Sequence, residues 1–303
     1  MGWKIFFSFS FILFVIFLLI FYWFVPFKTA DFGTMSGDSN FSLNNFELEN
    51  MQFYPNMRFP NSEISYQIDD CTLQKEDDME RAFEIISNIS FLNFYPVNYN
   101  EEISITCDSK NKIEGGMFIA GEGGPTNITK TDKFNVILHG KILLIRESKC
   151  ENPNVAIHEL LHVLGFDHSN NKNNIMYNIS KCGQTIGSDM IELINKLYSF
   201  PSYPDLSFEN VSAFIYGRYL DANISIRNNG LKDSENTKIM IYADGKFVEE
   251  IDLERLEIGY GRTIILRNIW VSKMDVHELE FFIDSNFNEL EKNNNRIILN
   301  VKN

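Results

Sequence analysis

The chain has 303 residues, and 27 Lys and Arg against 41 Asp and Glu leave a formal net charge of −14. That length suits two domains, and 44% hydrophobic with 22% charged residues allows ordinary cores and argues against a mostly disordered chain. The acidic surplus argues against a nucleic-acid partner, because phosphate binding depends on Lys and Arg.

Composition is uneven along the chain. Nine of the 27 Phe and two of the three Trp lie within residues 1–27. Residues 5–25 are apolar except for Ser8 and Ser10, enough for about 30 Å of helix. Trp3, Tyr22 and Trp23 sit near its ends, where amphipathic rings favour a lipid–water interface. Residues 1–27 are therefore expected to form one transmembrane anchor. A signal peptide cleaved near Thr29-Ala30 is the other reading, although its apolar region is usually shorter. The amino terminus and Lys4 precede the span, Lys28 follows it, and beyond Lys28 come Asp31, Asp38, Glu47 and Glu49, an asymmetry that orients the remainder outside the cytoplasm. The expected location is the cell membrane, single-pass. An even count of four cysteines agrees, as do N-x-[ST] triplets at Asn40, Asn88, Asn127, Asn178, Asn210 and Asn223.

Residues 28–57 mix Ser, Asn, Gly and acid without a period and read as a linker. From Arg58 the pattern predicts folded elements. Residues 64–68 alternate like a strand. Asp77-Asp78 opens a helix whose Met79, Ala82, Phe83, Ile86 and Ile89 share one face. Residues 103–106 form another strand, and Gly115-Gly116 and residues 121–125 punctuate a loop-rich section. Residues 135–138 and 142–145 are further strand candidates. Asn152-Pro153 opens a second helix, and Ser188-Asp189 caps a last one carrying Met190, Ile194, Leu197 and Tyr198. This order reads as α+β.

Past Pro201 and Pro204 the texture changes. Alternating runs recur at 222–226, 238–242, 247–251, 263–266, 278–283 and 296–301, with the hairpin dipeptide Asp244-Gly245 between two of them. About seven short strands without a helical period read as a β-sandwich.

The chemistry is concentrated in HELLHVLGFDH, residues 158–168, which holds three of the five histidines. His158 and His162 stand at i and i+4, so both imidazoles leave one helix face a turn apart. That spacing suits two zinc ligands. Glu159 is adjacent but rotated, so it can reach a metal-bound water without displacing it. Gly165 can take the left-handed conformation that ends a helix and lets His168 approach as third ligand. Three neutral nitrogens leave a coordination position for a water, with Glu159 as general base.

These residues match HExxHxxGxxH, and Asn174-Ile175-Met176-Tyr177 looks like a Met-turn, so residues 58–202 resemble a metzincin. Ser169 and Tyr177 resemble the matrixin branch in particular. The resemblance implies a twisted mixed sheet with long helices and one catalytic zinc held by His158, His162 and His168. It also implies Glu159 as the catalytic base, Met176 as an apolar floor, and protein or peptide substrates. In the family a substrate lies antiparallel to an edge strand above the active-site helix; residues 115–125 and the strand around 136–138 are both candidates. No cysteine precedes Cys71, so a cysteine latency switch is not expected. His139 reads as a strand residue, and a second, histidine-rich zinc site is not expected. Calcium is compatible with the acidic and Gly-rich loops, though no residue set singles out a site.

Cys71 follows the first strand and Cys107 ends the second. If these strands are parallel neighbours, their carboxyl ends share an edge and Cys71–Cys107 follows, leaving Cys150–Cys182. Four cysteines allow three pairings, and free thiols are the remaining reading. Residues 203–303 resemble CARDB-type Ig-like domains through ISIRNNG at 224–230, ADGKFV at 243–248 and IDSNFNELEKNNN at 283–295. Such domains imply spacing or binding, with a possible surface partner.

The expected architecture is thus a transmembrane helix at 1–27, a linker at 28–57, an α+β metzincin-type catalytic domain at 58–202 and an all-β sandwich at 203–303. The expected activity is membrane-anchored, zinc-dependent endopeptidase. The alternative is a cell-surface adhesion protein that uses the sandwich and keeps a non-proteolytic metzincin scaffold.

Overall fold

The computed structural model describes residues 2–24, 29–36, 51–109, 112–114, 117–147 and 149–302. Helix α1 (Gly2–Phe24) is followed by an α+β region and then by a β-sandwich. The side chains described in α1, Trp3 and residues 6–21, are all exposed. Among the described residues no helix is long and apolar enough to cross a membrane, so the expected transmembrane anchor is not carried by the structure.

The segment expected as a linker is structured at both ends. Strand β1 (Thr29–Met35) pairs antiparallel with β10 (Leu206–Tyr216), and its Phe32 enters the sandwich core. Residues 51–56 pack on the α+β region and lead into β2 (Met57–Arg58). An apolar side chain at Phe32 gives the polar segment something to bury. The intervening residues 37–50, with the Asn40 triplet, lie outside the described residues.

The α+β region continues with β3 (Glu63–Asp69), α2 (Leu73–Ile89), β4 (Asn93–Pro96) and β5 (Ile103–Cys107), then the small hairpin β6 (Lys112–Glu114) and β7 (Met117–Ile119). Strands β8 (Gly121–Lys130) and β9 (Asn135–Leu144) and helices α3 (Asn154–Val163) and α4 (Ser188–Tyr198) complete it. Strands β4, β3, β5 and β9 are parallel neighbours in that order, β2 adds to β9, and β8 runs antiparallel to β9 as the edge. The β3–α2–β4 crossover buries the stripe Met79, Ala82, Phe83 and Ile86 against this sheet. Helix α2 begins at Leu73, a turn before the acidic pair that suggested its start, and Ile89, its last residue, is exposed. Arg58 is buried and donates to the carbonyls of Pro60, Phe200 and Leu197, fastening the end of α4.

Because β3 and β5 are parallel neighbours, their carboxyl ends meet, and Cys71–Cys107 is a disulfide with Cα atoms 4.9 Å apart. Cys150–Cys182 is the second, with 5.1 Å between Cα atoms. The sandwich adds β11 (Tyr219–Asn228), β12 (Thr237–Ala243), β13 (Lys246–Leu253), β14 (Gly261–Trp270), β15 (Glu278–Asp284) and β16 (Arg296–Asn300). Its sheets run β1-β10-β11-β14 and β13-β12-β15-β16. Asp244 and Gly245, at φ 44° and 73°, make the β12–β13 turn with the primed geometry that two positive φ angles require. Strand β10 is not among the alternating runs.

The two units share a junction. Phe134 and Val136 pack with Leu231 and Ile258. Beside them Lys133 donates to Asp205 at 2.7 Å and to Glu291 at 3.3 Å, with the Lys133 and Asp205 side chains 4% and 0% exposed.

Candidate metal centre

Helix α3 carries His158, Glu159 and His162, and the chain reverses immediately after it. Gly165 sits at φ 96°; its N–H donates to His162 O at 2.9 Å and the Phe166 N–H to Leu161 O at 3.0 Å. These two bonds satisfy the last carbonyls of the helix in the arrangement that a left-handed glycine permits. The turn brings His168 back to α3.

Each helical ligand is oriented from behind. His158 Nδ1 donates to Ile175 O at 2.7 Å, and His162 Nδ1 donates to Phe166 O at 2.8 Å. Those bonds fix the tautomer and leave Nε2 as a bare acceptor. The Nε2 atoms then converge: His162 lies 3.0 Å from His158 and 3.2 Å from His168. Two neutral acceptors cannot hydrogen-bond each other, so this convergence fits a cation. Separations near 3.3 Å are about what tetrahedral zinc with Zn–N of 2.0–2.1 Å demands. Burial holds His162 down to about 4, helped by neighbouring His158, and burial also lowers His158. Both imidazoles are thus neutral at neutral pH, as ligands must be. His168 is exposed, at the rim.

The Met-turn lies beneath. Met176 N donates to Asn174 Oδ1 at 2.8 Å and Tyr177 N to Asn174 O at 3.0 Å, closing a tight turn. Ile175, between them, presents the carbonyl that orients His158. Met176 is fully buried in the same core as Leu160 and Leu161. Cys150–Cys182 closes the loops on either side of this turn and α3.

Glu159 is buried under β8. A Cβ on Gly123 would stand 2.4 Å from the Glu159 carbonyl oxygen, and one on Gly121 would stand 2.8 Å from its Cγ. Glycine at both positions lets the strand approach the helix this closely. Burial, with Glu122 nearby, pushes the Glu159 carboxyl up to about 8. Of the two candidate edge segments, β8 is the edge: it pairs with β9 along one side, and its other side pairs with no strand among the described residues. Gly115-Gly116 lies outside the described residues.

All the sequence-predicted ligands come together, and His158, His162 and His168 form the metal-holding group found among the described residues. His139 stays apart on β9, its ring nitrogens against Thr126 Oγ1 at 2.8 Å and Ser104 Oγ at 3.2 Å. One contact gave no signal in the sequence. Phe53, from the presumed linker, lies on the His162 ring with centroids 5.6 Å apart and 22° between planes.

Residues 58–199 match the family model described as Matrixin, and residues 203–298 match the one described as CARDB. Among curated proteins none matches the chain. Similar solved structures include the CARDB domain of a Pyrococcus furiosus protein in complex with di-metal ions, at 17% identity and TM-score 0.27 over 33% of this chain and 87% of that one. A domain described as belonging to a cell surface protein of Methanosarcina acetivorans is similar at 20% identity and TM-score 0.27, over 33% and 90%. The matrixin family implies zinc, and the histidine triad that would hold it is in place. The chain is thus similar to matrixins over 58–199, which suggests a zinc metalloprotease, and to CARDB domains over 203–298.

Proposed function

We propose that the protein is a zinc-dependent endopeptidase whose His158, His162 and His168 hold one zinc and whose Glu159 is the catalytic base. The observation that carries this reading is the convergence of three histidine Nε2 atoms, those of His158 and His162 held as acceptors, beside the buried carboxyl of Glu159. Zinc bound there supplies Lewis acidity, lowering the pKa of a water and polarising the scissile carbonyl. Glu159, next to His158 on α3, accepts the proton of the attacking water and then returns it to the leaving amide nitrogen. The free side of β8 accepts an extended peptide as an added antiparallel strand, through backbone hydrogen bonds that need no particular side chain. Met176 and the carbonyls of Ile175 and Phe166 keep the ligands in register.

The location we propose is extracytoplasmic and membrane-associated. Two disulfides suit an oxidising compartment, and the asparagines of the five described N-x-[ST] triplets are exposed. The exposed apolar side chains of α1 suit a lipid phase better than water. The CARDB domain suggests a cell-surface setting; a surface partner for it is part of the proposal.

The test is cleavage of a mixed peptide library by the full chain in detergent, beside Glu159→Ala and a chelated sample. Activity that disappears in both supports the proposal. A zinc-loaded chain that leaves every peptide intact would favour a surface-binding protein with a silent metzincin scaffold.

A further inference from the structure

The segment that precedes the matrixin match docks against the metal centre at three points. Phe53 N donates to Gly165 O at 3.0 Å, and Asp167 N donates to Met51 O at 2.9 Å, with Gln52 and Phe166 bridged as antiparallel neighbours. These bonds straddle Phe166, whose carbonyl orients His162. The Phe53 ring covers the His162 ring itself. Gln52 is buried and bonds its own chain on both sides, donating to Met57 O at 2.8 Å and accepting from Met57 N at 3.0 Å, which holds residues 51–57 in a closed loop.

We propose that Phe53 is a positioning residue of the metal centre. The His162 imidazole pivots on its Nδ1 bond between the edge-on rings of His158 and His168, whose centroids are 4.6 Å away, and the stacked Phe53 ring adds a further restraint on that swing. The flanking backbone bonds hold the turn between His162 and His168, so both ligands depend on residues 51–53. Groups standing behind metal ligands typically change metal affinity by about 10–100-fold when removed. The functional unit therefore starts upstream of Arg58, and Phe53 acts through His162 rather than on a peptide.

The inference rests on the triad binding zinc. In the full chain, zinc affinity is measured by competition with a chelator, together with the visible spectrum of the cobalt-substituted protein and the thermal midpoint of the metal-free form. Phe53→Ala is expected to weaken zinc binding by about 10–100-fold and to alter the cobalt spectrum, and Phe53→Tyr to restore both. A merely structural role would lower the metal-free midpoint and leave affinity and spectrum unchanged; that result overturns the proposal. Should Phe53→Ala not fold, Phe53→Leu is read by the same criteria. A parent chain that binds no zinc removes the metal reading itself, whereas a zinc-binding parent with an indifferent Phe53→Ala removes only the role of Phe53.

Discussion

The metal centre and the domain junction both bury polar groups, but their atoms are partnered differently. At the junction Lys133 donates to Asp205 and Glu291, and Asp205 also accepts from Asn294 at 2.9 Å, so each charge meets an opposite charge or a donor. In the triad two donors are equally well placed, yet the acceptor nitrogens of His158 and His162 are left facing each other with His168 Nε2 beside them. The first arrangement pairs its charges without a ligand and joins two domains, leaving only the amide oxygens of Asn294 and Asn295 without a partner among the described residues. The second needs a cation. Hydrogen-bond accounting thus separates structure from chemistry where burial alone does not.

The sharpest way to test that separation is to remove the base without touching the ligands. Glu159→Ala is expected to lower kcat by about 10²–10⁴-fold while zinc content stays at the parent level, read by peptide turnover and metal analysis. At the junction, Lys133→Met strands two carboxylates, and its cost is about 3–5 kcal/mol in urea unfolding with zinc affinity unchanged. Zinc loss in that variant would break the contrast. Replacing Cys150 and Cys182 by serine should cost about 2–4 kcal/mol and also weaken zinc binding, because that disulfide brackets α3 and the Met-turn. The smallest effect is expected from Gly123→Ala. Its new methyl presses on the Glu159 backbone, costing about 1–3 kcal/mol and slowing turnover more than it weakens zinc binding.

The site was legible because its spacing is local. One helical turn separates His158 from His162, and a single glycine turn returns His168, so residues 158–168 carry their own geometry. The disulfides were legible once two parallel strands were, since Cys71 and Cys107 lie at matching ends. What stayed hidden depends on distant pairing. Thr29 pairs with Tyr216, and Gln52 with Phe166, across long stretches of chain, and neither segment alternates. Strand β1 also bulges between Asp31 and Gly33, and β10 between Phe208 and Asn210, which shifts the inward-facing phase and blurs a period of two. Phe53 had no signal because nothing in its neighbourhood points to a histidine so far along the chain. The apolar N-terminus was legible as composition, while the structure shows only an exposed helix there.

The most direct test of the metal centre is X-ray absorption at the zinc edge of the full chain, with zinc counted per molecule. One zinc with three nitrogen scatterers at about 2.0–2.1 Å, reduced to two in His168→Ala, is the predicted result. A chain without zinc, or zinc surrounded by sulfur or by oxygen alone, would contradict it.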